Sequence, residues 1–213
     1  MRHNFGDSLL NSPAADERSS SAARELSTLS PKLCHLALAA VLLTSIPSFA
    51  QEDGSKAWEK IHAVLSHPRC ANCHTPDDHP RWGNAADGAT FHAMNVMRGA
   101  DGMGSPGMRC STCHGEANAA KEHAPPGAHN WHLAPKEMVW FGRTAAQICA
   151  QIKNPLMNGN RTLADIAGHV RKDALVAWGW APGPGRGPAP GSAEETFAAI
   201  ETWAAAGAPC PAQ

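Results

Sequence analysis

Two short motifs constrain this chain more than anything else in it: Cys70-Ala71-Asn72-Cys73-His74 and Cys110-Ser111-Thr112-Cys113-His114. Both are CxxCH. At this spacing two thiols can bond to the two vinyl groups along one edge of a haem, while the adjoining imidazole reaches the iron from one face. The reading is two haem c groups, attached through Cys70 and Cys73 and through Cys110 and Cys113, with His74 and His114 as proximal ligands. Paired CxxC knuckles also bind structural zinc. Against a single zinc site stands the linker of 36 residues (74 to 109) between Cys73 and Cys110, longer than the roughly 15–20 usual between zinc knuckles. The His after each knuckle also counts against it. With 12 His in 213 residues, two such neighbours would coincide by chance about 0.3% of the time, so the pair is taken as signal.

Residues 1–31 are polar and mixed in charge, residues 33–46 form an apolar run, and Pro47-Ser48-Phe49-Ala50 follows. This is the pattern of a secretory signal with a small-residue cleavage site. It predicts export to the periplasm, cleavage near Ala50, and a mature domain over residues 51–213. The apolar run is shorter than the roughly 20 residues a spanning helix needs, and no comparable segment follows, so no membrane span is expected in the mature chain. Export also bears on the remaining cysteines. Cys34 leaves with the signal, the four motif thiols are used, and Cys149 and Cys210 remain; an even remainder in an exported protein predicts a disulfide.

Lys and Arg total 18 and Asp and Glu 19, a balance that gives no basic excess for nucleic acid and none for an anionic membrane surface. The chain holds 19 Gly and 17 Pro and no Tyr, which describes a loop-rich protein with few strand formers, more easily organised by large cofactors than by a continuous core. The expected fold is mainly α and loop-rich, a dihaem cytochrome c with short helices packed around two covalent haems. Residues 55–135 would be the haem-binding part and residues 136–213 a helical C-terminal part. Ala57, Trp58, Ile61, Val64 and Leu65 fall at helical spacing before Pro68, predicting a helix over residues 55–67 with Ser55 as its cap. Gly83, Gly88, Gly99, Gly102, Gly104 and Gly107 then exclude any long element between the motifs. Hydroxyl caps at Thr144, Thr162 and Ser192, each three residues before Gln147, Asp165 and Glu195, predict helices over 144–153, 162–178 with a break near Asp173, and 192–206. Residues 181–191, APGPGRGPAPG, read as an extended surface loop with Arg186 at its tip.

The two motifs, the lead-in helix and the C-terminal helix resemble a dihaem c-type cytochrome. Residues 70–114, with NCHTP, His92 in a Gly-rich linker and the second CxxCH, are similar to the small dihaem subunit of periplasmic nitrate reductase. More of the chain, through HPRCANCH, MNVMRG, NWHLAPKEM, QIKNP and WGWAPGPGR, resembles bacterial proteins labelled isoquinoline 1-oxidoreductase subunits. The resemblance implies an electron-transfer subunit that accepts electrons from a partner oxidoreductase such as a molybdenum hydroxylase, or passes them to another cytochrome. It does not imply that this chain is the hydroxylase, since nothing in it is large enough to hold molybdopterin and a substrate.

The nitrate-reductase-like layout implies His92 as a distal ligand. His132, braced by Trp131 and Pro135 in a turn, is the choice for the other iron, with His67, His169, Met138 and Met157 as alternatives. His62, His79 and His123 read as surface or supporting residues. Two functions follow: an electron carrier with both irons six-coordinate, which is the preferred reading and has no catalytic residues of its own, or a small peroxidase-like enzyme with one open iron position.

Overall fold

The computed structural model describes residues 48–83 and 90–212. The expected signal segment lies outside them, save that the first helix, α1 (Ser48–Leu65), begins two residues before the expected cleavage position. Ser55 is therefore inside the helix rather than its cap. An ion pair one turn apart, Lys56 to Glu52 at 2.6 Å, supports the added turns. The face predicted to be apolar is buried: Trp58 is 3% and Ile61 1% exposed, with Ala57, Val64 and Leu65 beside them. Gly54 lies where α1 passes closest to the chain's end, since a Cβ there would stand 2.6 Å from that of Ala206.

Chain order after α1 is α2 (Pro68–Ala71), β1 (Arg81–Trp82), β2 (Thr90–Phe91), β3 (Gly104–Ser105), β4 (Met108–Arg109), α3 (Ala145–Ile152), α4 (Leu163–Lys172), α5 (Ala174–Ala177) and α6 (Ala193–Ala205). The strands form two antiparallel pairs, Arg81 opposite Phe91 and Gly104 opposite Arg109. The described part is thus helix-rich and loop-rich with a few two-residue strands. All the described residues belong to one compact unit, and none of their helices is long and apolar enough to cross a membrane.

The C-terminal helices start where their caps dictate. Thr144 and Thr162 form capping boxes with Gln147 and Asp165, and Ser192 caps α6 through the Glu195 N–H. Asp173 ends α4 and caps α5 through the N–H groups of Leu175 and Val176, so the break expected there is a change of helix. α6 packs along α1 and against α4. Trp203, fully buried, meets Trp58 at 5.0 Å between ring centroids, and its Nε1 donates to the Pro209 carbonyl at 2.8 Å. Burying an indole of roughly 200 Å² at about 25 cal/mol per Å² contributes about 5 kcal/mol. Ile148 and Cys149 complete this core from α3, and Cys149 is bonded to Cys210, with Cα atoms 5.7 Å apart.

Among the described residues of 66–143 only Trp140 packs against this core, and Ala71, Ala128 and Leu133 are buried apart from it. The fold of this stretch rests on polar ties, of which Arg98 holds the most: its buried guanidinium donates to the carbonyls of Ala134 and Asp77 and to Thr75 Oγ1. One side chain thereby clamps the segment after the first motif to the segment near residue 134. Leu133 N–H donates to Gly102 O, and Trp140 and Phe141 N–H both donate to His74 O. The 181–191 segment is the expected loop with neither helix nor strand, but Arg186 is half-buried rather than standing at an exposed tip. It folds back onto the body, burying Pro182 and Ala189, because its glycines permit close approach: a Cβ on Gly183 would stand 2.8 Å from the Asn118 side chain.

Candidate functional site

Both motifs sit on short, tightly hydrogen-bonded turns. Cys73 N–H and His74 N–H donate back to Cys70 O, and Cys113 N–H and His114 N–H donate back to Cys110 O. The first turn is fixed upstream by His67, which caps α2 by accepting from the Arg69 N–H. All four motif cysteines are free thiols. Burial pushes Cys70 up to about 12, helped by the charge of Cys73, and pushes Cys73 up to about 11, helped by that of Cys110. Among the described residues no three His, Cys, Asp or Glu side chains converge as a bound metal ion would require.

The two motif histidines are in the same state. His74 Nδ1 lies 3.0 Å from Met138 O, and His114 Nδ1 lies 2.8 Å from Pro126 O. A carbonyl only accepts, so each Nδ1 carries the proton and each Nε2 keeps its lone pair. Burial favours the neutral ring: it pushes His74 down to about 3, against the opposing pull of the Met138 carbonyl, and lowers His114 likewise. A tryptophan then lies flat on each ring, Trp140 on His74 at 3.4 Å and 5°, and Trp131 on His114 at 4.5 Å and 6°. Neither stack could be read from the sequence.

A cavity of about 630 Å³ is lined by Cys73 of the first motif and by Cys110, Cys113 and His114 of the second, while Cys70 and His74 do not line it. His92 and His132 line it as well, while His67, His169, Met138 and Met157 do not. Met138 contributes its backbone carbonyl to His74, and Met157 is 38% exposed on the turn after α3. His169 pairs with Asp173 at 3.5 Å, and its charge is one that His74 feels. His92 and His132 also place Nδ1 against a carbonyl, that of Ala93 at 2.8 Å and that of Asn130 at 2.6 Å. His92 lies with its ring 6.0 Å from that of His114. Both candidate distal histidines adjoin left-handed backbone, at Met94 and Asn95 (φ 63 and 52) and at Asn130 (φ 56); such strain concentrates at functional sites.

The remaining lining joins apolar side chains, Trp82, Val96, Met108, Trp131, Leu133 and Trp178 among them, to four arginines, Arg69, Arg81, Arg109 and Arg186. No carboxylate lines it among the described residues. Such a cavity suits a large flat apolar molecule bearing negative groups at its edge, which is what haem is. At the second motif the donor set, the tautomer of His114 and the charge of the lining fit the group that the motif implies, whereas of the first motif only Cys73 reaches the cavity. Of the other histidines, His79 holds Val96 O through Nδ1 at 3.1 Å, His123 is exposed at the rim and His129 pairs with Glu116 at 2.6 Å. Comparison with family models, with curated proteins and with solved structures found no match to this chain.

Proposed function

We propose that this chain is a periplasmic electron-transfer protein carrying two covalent haem c groups, one on Cys70, Cys73 and His74, the other on Cys110, Cys113 and His114. The observation that carries the reading is the matched state of the two motif histidines: each is neutral, with Nδ1 donated to a backbone carbonyl and Nε2 free. That is the state a proximal ligand needs, and a backbone partner at Nδ1 fixes the ring and raises its basicity. When bound, haem iron supplies one-electron chemistry between its ferric and ferrous states. The protein's part is to orient the imidazoles, to exclude water with the tryptophans, and to offset the negative edge groups with arginine.

His92, whose ring lies 6.0 Å from that of His114, would serve the haem of the second motif, and His132, with His169 as its competitor, that of the first. His67 is a poor choice, since its Nδ1 lone pair is spent on the Arg69 N–H and a neutral ring then carries its proton on Nε2. Imidazole on both faces gives lower potentials than His with Met, which suits a carrier that takes electrons from a partner oxidoreductase. The sequence resemblance makes a molybdenum hydroxylase the candidate donor. A peroxidase-like enzyme would need one open iron position, and the pairing of His92 with His114 argues against that at the second site.

The test is mass spectrometry and EPR of the exported holoprotein. Two covalent haems, both low spin, on a chain cut near Ala50 are expected, and Cys70→Ala with Cys73→Ala should leave one. A chain that carries zinc and no haem would end the proposal. A high-spin ferric component in the unmutated protein would transfer it to the enzyme reading.

A further inference from the structure

Residues 181–191 alternate proline with glycine, and the structure gives that composition a use. The prolines keep the segment extended, while Gly183 and Gly185, at φ 82 and 74, take the left-handed turns that side chains resist. The strap is tied down along its length. Asn118 Nδ2 donates to Ala181 O and Arg69 Nε to Gly187 O, both at 2.8 Å, and Ala189 N–H donates to Gly179 O at 2.8 Å. At Gly185 a Cβ would meet Glu122 Cγ at 2.8 Å, so the strap presses on the segment that follows the second motif. What it delivers there is one long side chain, Arg186, which is half-buried, donates to the Ala124 carbonyl and lines the cavity.

Arg186 differs from two other arginines on that lining. Arg81 is paired with Asp77 and Arg109 with Asp101. Among the described residues no carboxylate pairs with Arg186, whose hydrogen bonds go to the carbonyls of Pro184 and Ala124. A guanidinium partly withdrawn from water needs a counter-charge, and no residue described on the lining is acidic. The Ala124 carbonyl that Arg186 holds lies two residues before Pro126, whose own carbonyl holds His114 Nδ1. An anionic group in the cavity near His114 would give Arg186 its counter-charge.

Resting on the haem assignment above, we propose that Arg186 is the anion-binding residue of the second cofactor. It takes a carboxylate of the haem carried by Cys110, Cys113 and His114, and the proline-glycine strap exists to deliver it. The Arg fork suits a carboxylate, which it meets through two parallel N–H donors. A positive charge held there favours the ferrous state, so Arg186 raises the potential of that haem and leaves the other nearly unaffected.

The experiment is a spectroscopic redox titration of Arg186→Gln and Arg186→Lys holoprotein that mass spectrometry shows to carry two covalent haems. In Arg186→Gln the reduction equilibrium of one haem should fall about tenfold, 59 mV for a one-electron couple, with the other unchanged. Arg186→Lys, which keeps the charge, should recover most of that fall. Unchanged midpoints in Arg186→Gln would overturn the proposal. So would equal falls in both variants accompanied by equal losses of thermal stability, which would make Arg186 only an anchor for the strap. A wild-type midpoint that responds to inorganic phosphate, and no longer does so in Arg186→Gln, would give the site to a diffusible anion and overturn it too. A wild-type protein without covalent haem would instead defeat the parent reading, and the first mass spectrum reveals that.

Discussion

Replacing both Cys149 and Cys210 by Ala should cost about 4 kcal/mol of stability. The bond closes a loop of 61 residues, and the chain-entropy relation gives about 14 cal/mol/K for a loop of that length, about 4 kcal/mol at 25 °C. Nearly all of this acts on the unfolded chain, because the native tail has other ties. Lys153 Nζ donates to Ala208 O at 2.7 Å, and Trp203 Nε1 donates to Pro209 O at 2.8 Å, so the folded structure should persist with its tail in place. The assay is urea unfolding of wild-type and double-mutant holoprotein. With a slope of about 2 kcal/mol/M, the midpoint should fall by about 2 M, and the slope should rise because the unlinked chain unfolds further. The haem spectra should not change, since neither cysteine lines the cavity. A loss under about 1 kcal/mol would refute the reasoning, by showing that the denatured chain already holds α3 and the tail together.

Four further outcomes are expected. His92→Ala and His132→Ala should each turn one haem high spin and open to carbon monoxide when reduced, while His123→Ala should not; a response in His169→Ala in place of His132→Ala would reassign the ligand opposite His74. Gly168→Ala, whose new Cβ meets nothing within 4 Å, should raise stability by about 0.5–1 kcal/mol through helix propensity. Gly54→Ala should lower it, because the contact at 2.6 Å from Ala206 costs about 1–3 kcal/mol of overpacking; a rise in Tm would show that α1 and α6 separate easily. Arg109 beside Asp101 holds that carboxyl down to about 2. A depressed folded value adds stability above the unfolded pKa of about 3.9, lost as pH falls from about 4 to about 2, so Asp101→Asn should flatten acid unfolding in that window.

Local rules wrote much of this protein into its sequence. The starts of α3, α4 and α6 lie where Thr144, Thr162 and Ser192 can cap them, and the turn from α4 to α5 lies at Asp173, because capping involves only residues within one turn of each other. The buried face of α1 was legible for the same reason, since 3.6-residue periodicity is a property of the segment alone. Parity of the cysteines paired Cys149 with Cys210 without any geometry. The motifs identified Cys70, Cys73, His74, Cys110, Cys113 and His114 because the chemistry they suggest is itself local.

Only the tertiary structure decided what surrounds those motifs. Met138 and Pro126 orient the two imidazoles across 64 and 12 residues; a carbonyl acceptor is a backbone group that every residue carries, so no side-chain pattern marks it. Trp140, Trp131 and Arg98 likewise act on partners that sequence spacing does not foretell. The early start of α1 was missed because Ser55 offered a good local cap, while packing of Gly54 against Ala206 favours a longer helix. Residues 181–191 were legible as neither helix nor strand, but not as a strap. Proline and glycine forbid regular structure locally, whereas the place where the segment docks, and therefore what Arg186 faces, is set by Asn118, Arg69 and Ala124, which only folding brings to it.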